Sequence, residues 1–192
     1  MSHSNTLAES QELAAKVLAN LDHPMHYANT TFRELRPEHA GERQAYLYDR
    51  KVIEDLISEY NYLVDAGLTK NSNRGALDEL FTADAEVVFP RGKHQGNADL
   101  GEWLLSPVSA LHRMTHLSSN HSVKFESSTV AHGRSTWQSA AGFHATDISQ
   151  VFFTGGYYYW SFHKVADDQW KISFLFLDMT WKNGEVPSKV AK

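Results

Sequence analysis

The chain has 192 residues, 42% hydrophobic and 12% aromatic, enough for a sizeable core and one main domain. A formal charge of -5, a pI near 6.1 and no basic run argue against nucleic acid or an anionic membrane surface as partner. The absence of cysteine excludes disulfides, thiolate metal sites and cysteine nucleophiles.

The N-terminus, MSHSNTLAESQELAAKV, lacks the charged-then-apolar order of a secretion signal. No apolar run approaches the roughly 18 residues a membrane span needs, so a cytoplasmic location is expected. Residues 5–21 show helical spacing behind Ser and Thr caps, which predicts a first helix. Residues 22–38, with His23-Pro24 and Arg36-Pro37, break that pattern and read as an extended arm over a neighbour or a pocket mouth, or as a surface loop.

A long helix is predicted from about Glu38 to Ala66. Within it Val52, Ile53, Leu56, Ile57, Tyr60, Leu63 and Val64 form one apolar face, and Gly67 stops it. Tyr60 lies on that face, whereas an ideal wheel puts Asp65 well off its centre. After the polar connection LTKNSNRG, a short helix is expected over Ala76 to Phe81, leading into a strand that ends at Pro90. RGKHQGNAD then reads as a turn, and Leu100 to His112 as one or two short helices broken at Pro107.

The rest reads as strands: Thr115 to Ser127, Val130 to Phe143, Ser149 to Lys164 and Trp170 to Trp181. The isolated Gly155-Gly156 pair is a bulge or bend in the third of these. Three units follow: an N-terminal helix and arm (1–38), the main domain (39–182) and a flexible tail (183–192). Helices followed by an antiparallel meander make an α+β order. A curved, mostly antiparallel sheet with helices on its concave side leaves a cavity for a ligand between the layers.

Aromatic residues are the natural lining for such a cavity. Phe89, Trp103, Trp137, Tyr158, Phe174 and Phe176 are the candidates for substrate contact. In the run Tyr157 to Phe162 successive side chains alternate, so Tyr157 and Tyr159 share one face and Tyr158, Trp160 and Phe162 the other. Aromatics on both faces imply a second buried surface, and a homo-oligomer, dimer or trimer, is expected.

The runs IEDLISEYNYLVDAG, ALDELFTADAEVVF, THLSSNHSVKF and GGYYYWSFHKVADDQWKIS, in that order, resemble the SnoaL-like group of the NTF2-like superfamily from about Val52 to Trp181. The resemblance is greatest to its lyase members, the scytalone dehydratases, bile-acid 7-alpha-dehydratases and hexachlorocyclohexane dehydrochlorinases. It implies a cone-shaped α+β barrel and a cofactor-independent activity. In those enzymes an Asp at the end of the long helix pairs with a His opening a central strand, and some add a Tyr one turn earlier. The matching positions here are Asp65, His116 and Tyr60. The bile-acid enzymes also carry an Arg on the last strand. Here that region, PheLeuAspMetThrTrp, has none, which argues against an acidic or steroid-type substrate.

Elimination needs a base near neutral pH and help for the leaving group. Histidine titrates in that range, and an adjacent carboxylate orients its ring and stabilises its cation. His116 is therefore assigned as base with Asp65 as its partner. Tyr60 and Asn120, the latter two register steps along the strand from His116, are candidate donors to a carbonyl or leaving hydroxyl. A small-molecule substrate is expected, with no metal: His112 and His116 are four apart, but a strand intervenes, and no HxH pair or His/Glu cluster is present. No GxSxG or glycine-rich phosphate loop occurs. Three classes stay open: a lyase or isomerase acting on a small, largely apolar cyclic metabolite; a cyclase or epoxide-opening hydrolase of secondary metabolism; and a non-catalytic ligand-binding or structural subunit.

Overall fold

Helix α1 spans Ala40–Ala66 and presents Ile53, Ile57, Tyr60 and Val64 to the core. Glu42 reaches back to accept from the His39 backbone N–H at 3.4 Å, covering a donor that the helix start leaves unpaired. At its other end Gly67 has an ordinary negative φ. Glycine is needed there because a Cβ would lie 2.4 Å from the Leu105 side chain. The molecule is a computed structural model that describes residue 34 and residues 36–68 and 74–184. The helix expected over 5–21, most of the arm over 22–38 and the tail beyond residue 184 lie outside the described residues.

After α1 come α2 (Gly75–Glu79), β1 (Phe81–Phe89), β2 (Gly92–Gln95), α3 (Leu100–Leu105), a 3-10 turn (Ser106–Val108) and four long strands. These are β3 (Arg113–Phe125), β4 (Val130–Gly142), β5 (Val151–Ala166) and β6 (Gln169–Asn183). They form a curved, unclosed six-stranded sheet in the order β2-β1-β6-β5-β4-β3, antiparallel except where β1 runs parallel to β6. This is the α+β architecture expected. Pro107 lies in the first turn of the 3-10 segment after α3, where its missing N–H costs nothing.

One expectation is corrected: part of the stretch read as a turn, Gly92–Gln95, is β2, paired to β1 through a two-residue loop, Pro90-Arg91. Those residues carry no apolar alternation, and the backbone pairing offered by the edge of β1 decides their state. A second glycine is dictated by backbone approach: at Gly156 a Cβ would sit 1.9 Å from the Asp178 carbonyl oxygen, where β5 and β6 shift register.

The inner face of the sheet carries Trp137, Tyr158, Trp160, Phe162, Leu175 and Leu177, all in the core cluster with α1. Tyr157 and Tyr159 take the other face, as alternation requires. Tyr60 is the hub, with its ring edge-on to Phe81, Tyr158 and Trp160 at 6.0, 6.0 and 5.4 Å between centroids. Beside α1, β3 is an edge strand, and α1 satisfies two of its unpaired groups. Arg50 donates to the Val123 carbonyl at 3.0 Å, and Asp65 accepts from the His116 N–H.

Candidate active site

Asp65, in the last turn of α1, reaches the opening of β3. Its Oδ1 lies 2.6 Å from His116 Nδ1 and its Oδ2 takes the His116 backbone N–H at 2.8 Å. An ionised carboxylate only accepts, so in the neutral ring the hydrogen belongs on Nδ1 and the lone pair on Nε2. The His116 side chain is 8% exposed and that of Asp65 21%. The carboxylate thus fixes both the position and the tautomer of the imidazole. Asp65 turns inward despite its helical phase because the edge of β3 presents a donor next to the helix end.

His116, Tyr60, Phe89, Trp137 and Tyr158 line a cavity of about 190 Å³ between α1, the α3 region and the inner sheet face. Leu111, Met114, Phe152 and Met179 complete an apolar wall. Trp103 stands behind it, its ring 5.7 Å from that of Phe89. Burial raises the Tyr60 and Tyr158 phenols above their ordinary range, and the nearby Asp65 charge raises Tyr158 further. Both stay protonated at neutral pH and serve as hydrogen-bond donors. The two hydroxyls also interact with each other.

Four predicted contact residues do not line this cavity: Trp103, which stands behind Phe89, and Asn120, Phe174 and Phe176. Asn120 is exposed with φ 53, at a bulge where β3 shifts register between Ser119 and Ser122, and its amide donates to Thr136 Oγ1 at 3.4 Å. The bulge inverts the strand's alternation: His116 and Ser118 face inward before it, and Val123 and Phe125 are buried after it. Phe174 and Phe176 are 2% and 1% exposed but lie on the outer face, where the Phe176 ring is 6.1 Å from that of Tyr159. β6 inserts one residue between Ile172 and Phe174 relative to β5, and this moves Leu175 and Leu177 to the inner face instead.

Sequence reading also missed residues that do line the cavity. Ser139 and Thr154 face it and hydrogen-bond to each other at 3.0 Å. Arg91 enters from the β1–β2 loop, with its guanidinium 3.8 Å from the centroid of the Trp103 ring. Burial pushes that guanidinium down to about 10, so it is charged at neutral pH. Inside what read as a polar turn, Arg91 had no periodic signal to reveal its direction.

A larger cavity, about 660 Å³, opens at the other end of α1 beside Tyr46, Asp49, Phe125 and Lys164. Its deepest charges are paired: Lys164 Nζ lies 2.9 Å from Asp49 Oδ1, which also accepts from Trp170 Nε1 at 2.9 Å. The smaller cavity, with a free imidazole nitrogen, is the better candidate for chemistry. Among the described residues no three His, Asp or Glu side chains gather as metal ligands, and no helix is long and apolar enough to cross a membrane.

Solved structures share this fold. A scytalone dehydratase-like protein from Novosphingobium aromaticivorans is 24% identical over 73% of this chain and 90% of its own, with a TM-score of 0.63. The hexachlorocyclohexane dehydrochlorinase LinA-type3 from Novosphingobium barchaimii is 21% identical over 78% of this chain and 99% of its own, with a TM-score of 0.61. An NTF2-like protein with a cystatin-like fold, also from Novosphingobium aromaticivorans, is 21% identical over 71% and 84%, with a TM-score of 0.58. No curated protein matches the chain. The SnoaL-like domain family matches residues 45–175, most of the sequence, and the chain belongs to that family.

Proposed function

We propose that the chain is a cofactor-independent lyase of the dehydratase type, or an isomerase, acting on a small, largely apolar cyclic metabolite in the 190 Å³ cavity. The observation that carries this reading is the double grip of Asp65 on His116, through Nδ1 and the backbone N–H, which leaves Nε2 as a positioned base. Nε2 takes a proton from a ring carbon and the C–H electron pair forms the new double bond. The leaving hydroxyl departs as water with the proton that the imidazolium returns, while Tyr60 donates a hydrogen bond to the departing oxygen. In an isomerisation the same proton goes back to a different carbon. Asp65 stabilises the imidazolium in either case.

The similarity to a dehydrochlorinase and a dehydratase-like protein supports elimination over hydrolysis. A non-catalytic subunit has no use for a histidine held in one tautomer beside an apolar cavity. Exposed aromatics on the outer face, Phe153, Tyr157 and Trp181 at 44%, 39% and 41%, support self-association there, to be read by sedimentation velocity. The decisive experiment compares the protein with His116→Ala on cyclic β-hydroxy and enolisable substrates, following product formation and solvent deuterium uptake at carbon. Turnover lost in the variant is the expected result, and equal turnover by both overturns the assignment.

A further inference from the structure

Arg91 is a half-buried cation that no carboxylate among the described residues neutralises. It is the second residue of the β1–β2 loop, and it lines the His116 cavity. Its guanidinium stacks over Trp103 at 3.8 Å and approaches Phe89 at 5.4 Å, so aromatic faces fix its plane. Nη2 is buried without a hydrogen-bond partner, and no carboxylate among the described residues pairs with Arg91. An interior guanidinium normally ends against a carboxylate, because an unpaired charge and an orphaned donor are both costly. Trp137 Nε1, on the wall of the same cavity, is likewise buried and unpartnered.

The other polar groups of the wall do not supply the missing acceptor. Asp65 is engaged by His116, Ser139 and Thr154 bond to each other, and the Tyr60 and Tyr158 hydroxyls engage one another. The cavity therefore offers one fixed cation, two orphan donors and otherwise apolar walls. Its complement is a small apolar body bearing a single planar anion with several acceptor lone pairs. A phosphate dianion would need more positive charge than the lining residues provide.

We propose that Arg91 anchors the substrate of this site and that the substrate carries a carboxylate on a single-ring skeleton. The inference rests on the reading of the cavity as the seat of His116 chemistry. It reverses the sequence expectation drawn from the absence of an arginine on the last strand: the cation enters instead from the β1–β2 loop, beside β6, to which β1 is paired.

Benzoate and benzamide, nearly equal in shape and different in charge, are suitable probes, with binding read by calorimetry. The protein is expected to bind benzoate at least about tenfold more tightly than benzamide. Arg91→Met should bring benzoate down to the benzamide level while leaving benzamide within about threefold, and Arg91→Lys should restore part of the preference. Unchanged near-ultraviolet circular dichroism establishes that each variant is folded. The His116→Ala variant should keep the preference, since the anchor is separate from the base. Equal or absent binding of both probes by the unmodified protein, a preference that survives Arg91→Met, or one that disappears in His116→Ala would each overturn the proposal. The last outcome would make the imidazolium the anchor. A surviving preference in Arg91→Met leaves the His116 assignment standing, whereas equal turnover by His116→Ala removes that assignment and leaves the benzoate measurement valid.

Discussion

Two aspartates on α1, Asp49 and Asp65, stand about 24 Å apart along the helix axis, and they do opposite things with the same carboxylate. Asp49 accepts from Lys164 Nζ and from Trp170 Nε1, and tethers the start of the helix to the β5–β6 hairpin. Asp65 holds an imidazole that keeps a lone pair in reserve beside a cavity. The difference lies in what is left over. A cluster whose donors and acceptors are all matched stabilises the fold, and one that retains an unspent group next to empty apolar space is equipped for chemistry.

The comparison breaks first at His116. His116→Ala is expected to lower turnover by about 1,000-fold with little change in melting temperature, measured on whichever substrate the screen identifies. Asp65→Asn should cost about 100-fold in kcat, because an amide can hold the ring in the wrong tautomer and no longer stabilises its cation. If Asp49→Ala impaired turnover as much as Asp65→Asn does, the division between the two ends would be wrong. The expected result for Asp49→Ala is unchanged kcat and a loss of about 2 kcal/mol in a denaturant titration, from Lys164 and Trp170 left unpaired. Tyr60→Phe sharpens the picture at the catalytic end: about tenfold slower turnover with unaltered substrate affinity, the pattern of a donor that matters chiefly in the transition state.

The smallest effect concerns acid. His132 is buried on the outer face between Ser161 and Glu126, at 2.8 and 2.7 Å, and burial holds it below the ordinary histidine range despite the Glu126 carboxylate. Its folded-state pKa is depressed, so the unfolded chain binds the proton first and stability falls as pH drops below the ordinary value near 6.5. The expected loss is under about 1 kcal/mol between pH 7 and pH 5, seen as a falling melting temperature that His132→Gln flattens.

The architecture was legible because its signals are strong. The apolar stripe of α1 and the length of the alternating runs of β3 to β6 identify helix and strands. The pair Asp65 and His116 was legible only through the family pattern. A helical wheel describes α1 in isolation and cannot register that an edge strand passes its last turn. Asn120, Phe174 and Phe176 were misplaced for one reason: a two-residue period read across a bulge assigns the wrong face to everything beyond it. Asparagine, which tolerates positive φ better than most residues, was the available hint at 120. Arg91 gave no such hint, since a loop of two residues has no period at all.

The bond from the His116 backbone N–H to Asp65 has a consequence outside catalysis. β3 is one open edge of the sheet, and strands in that position template the addition of further strands from other molecules. Arg50 and Asp65 occupy two of its exposed pairing groups, one acceptor and one donor. Under the proposed function the carboxylate that readies the base also guards this sheet edge against strand addition, so selection against Asp65 loss would persist in a descendant that had abandoned the reaction.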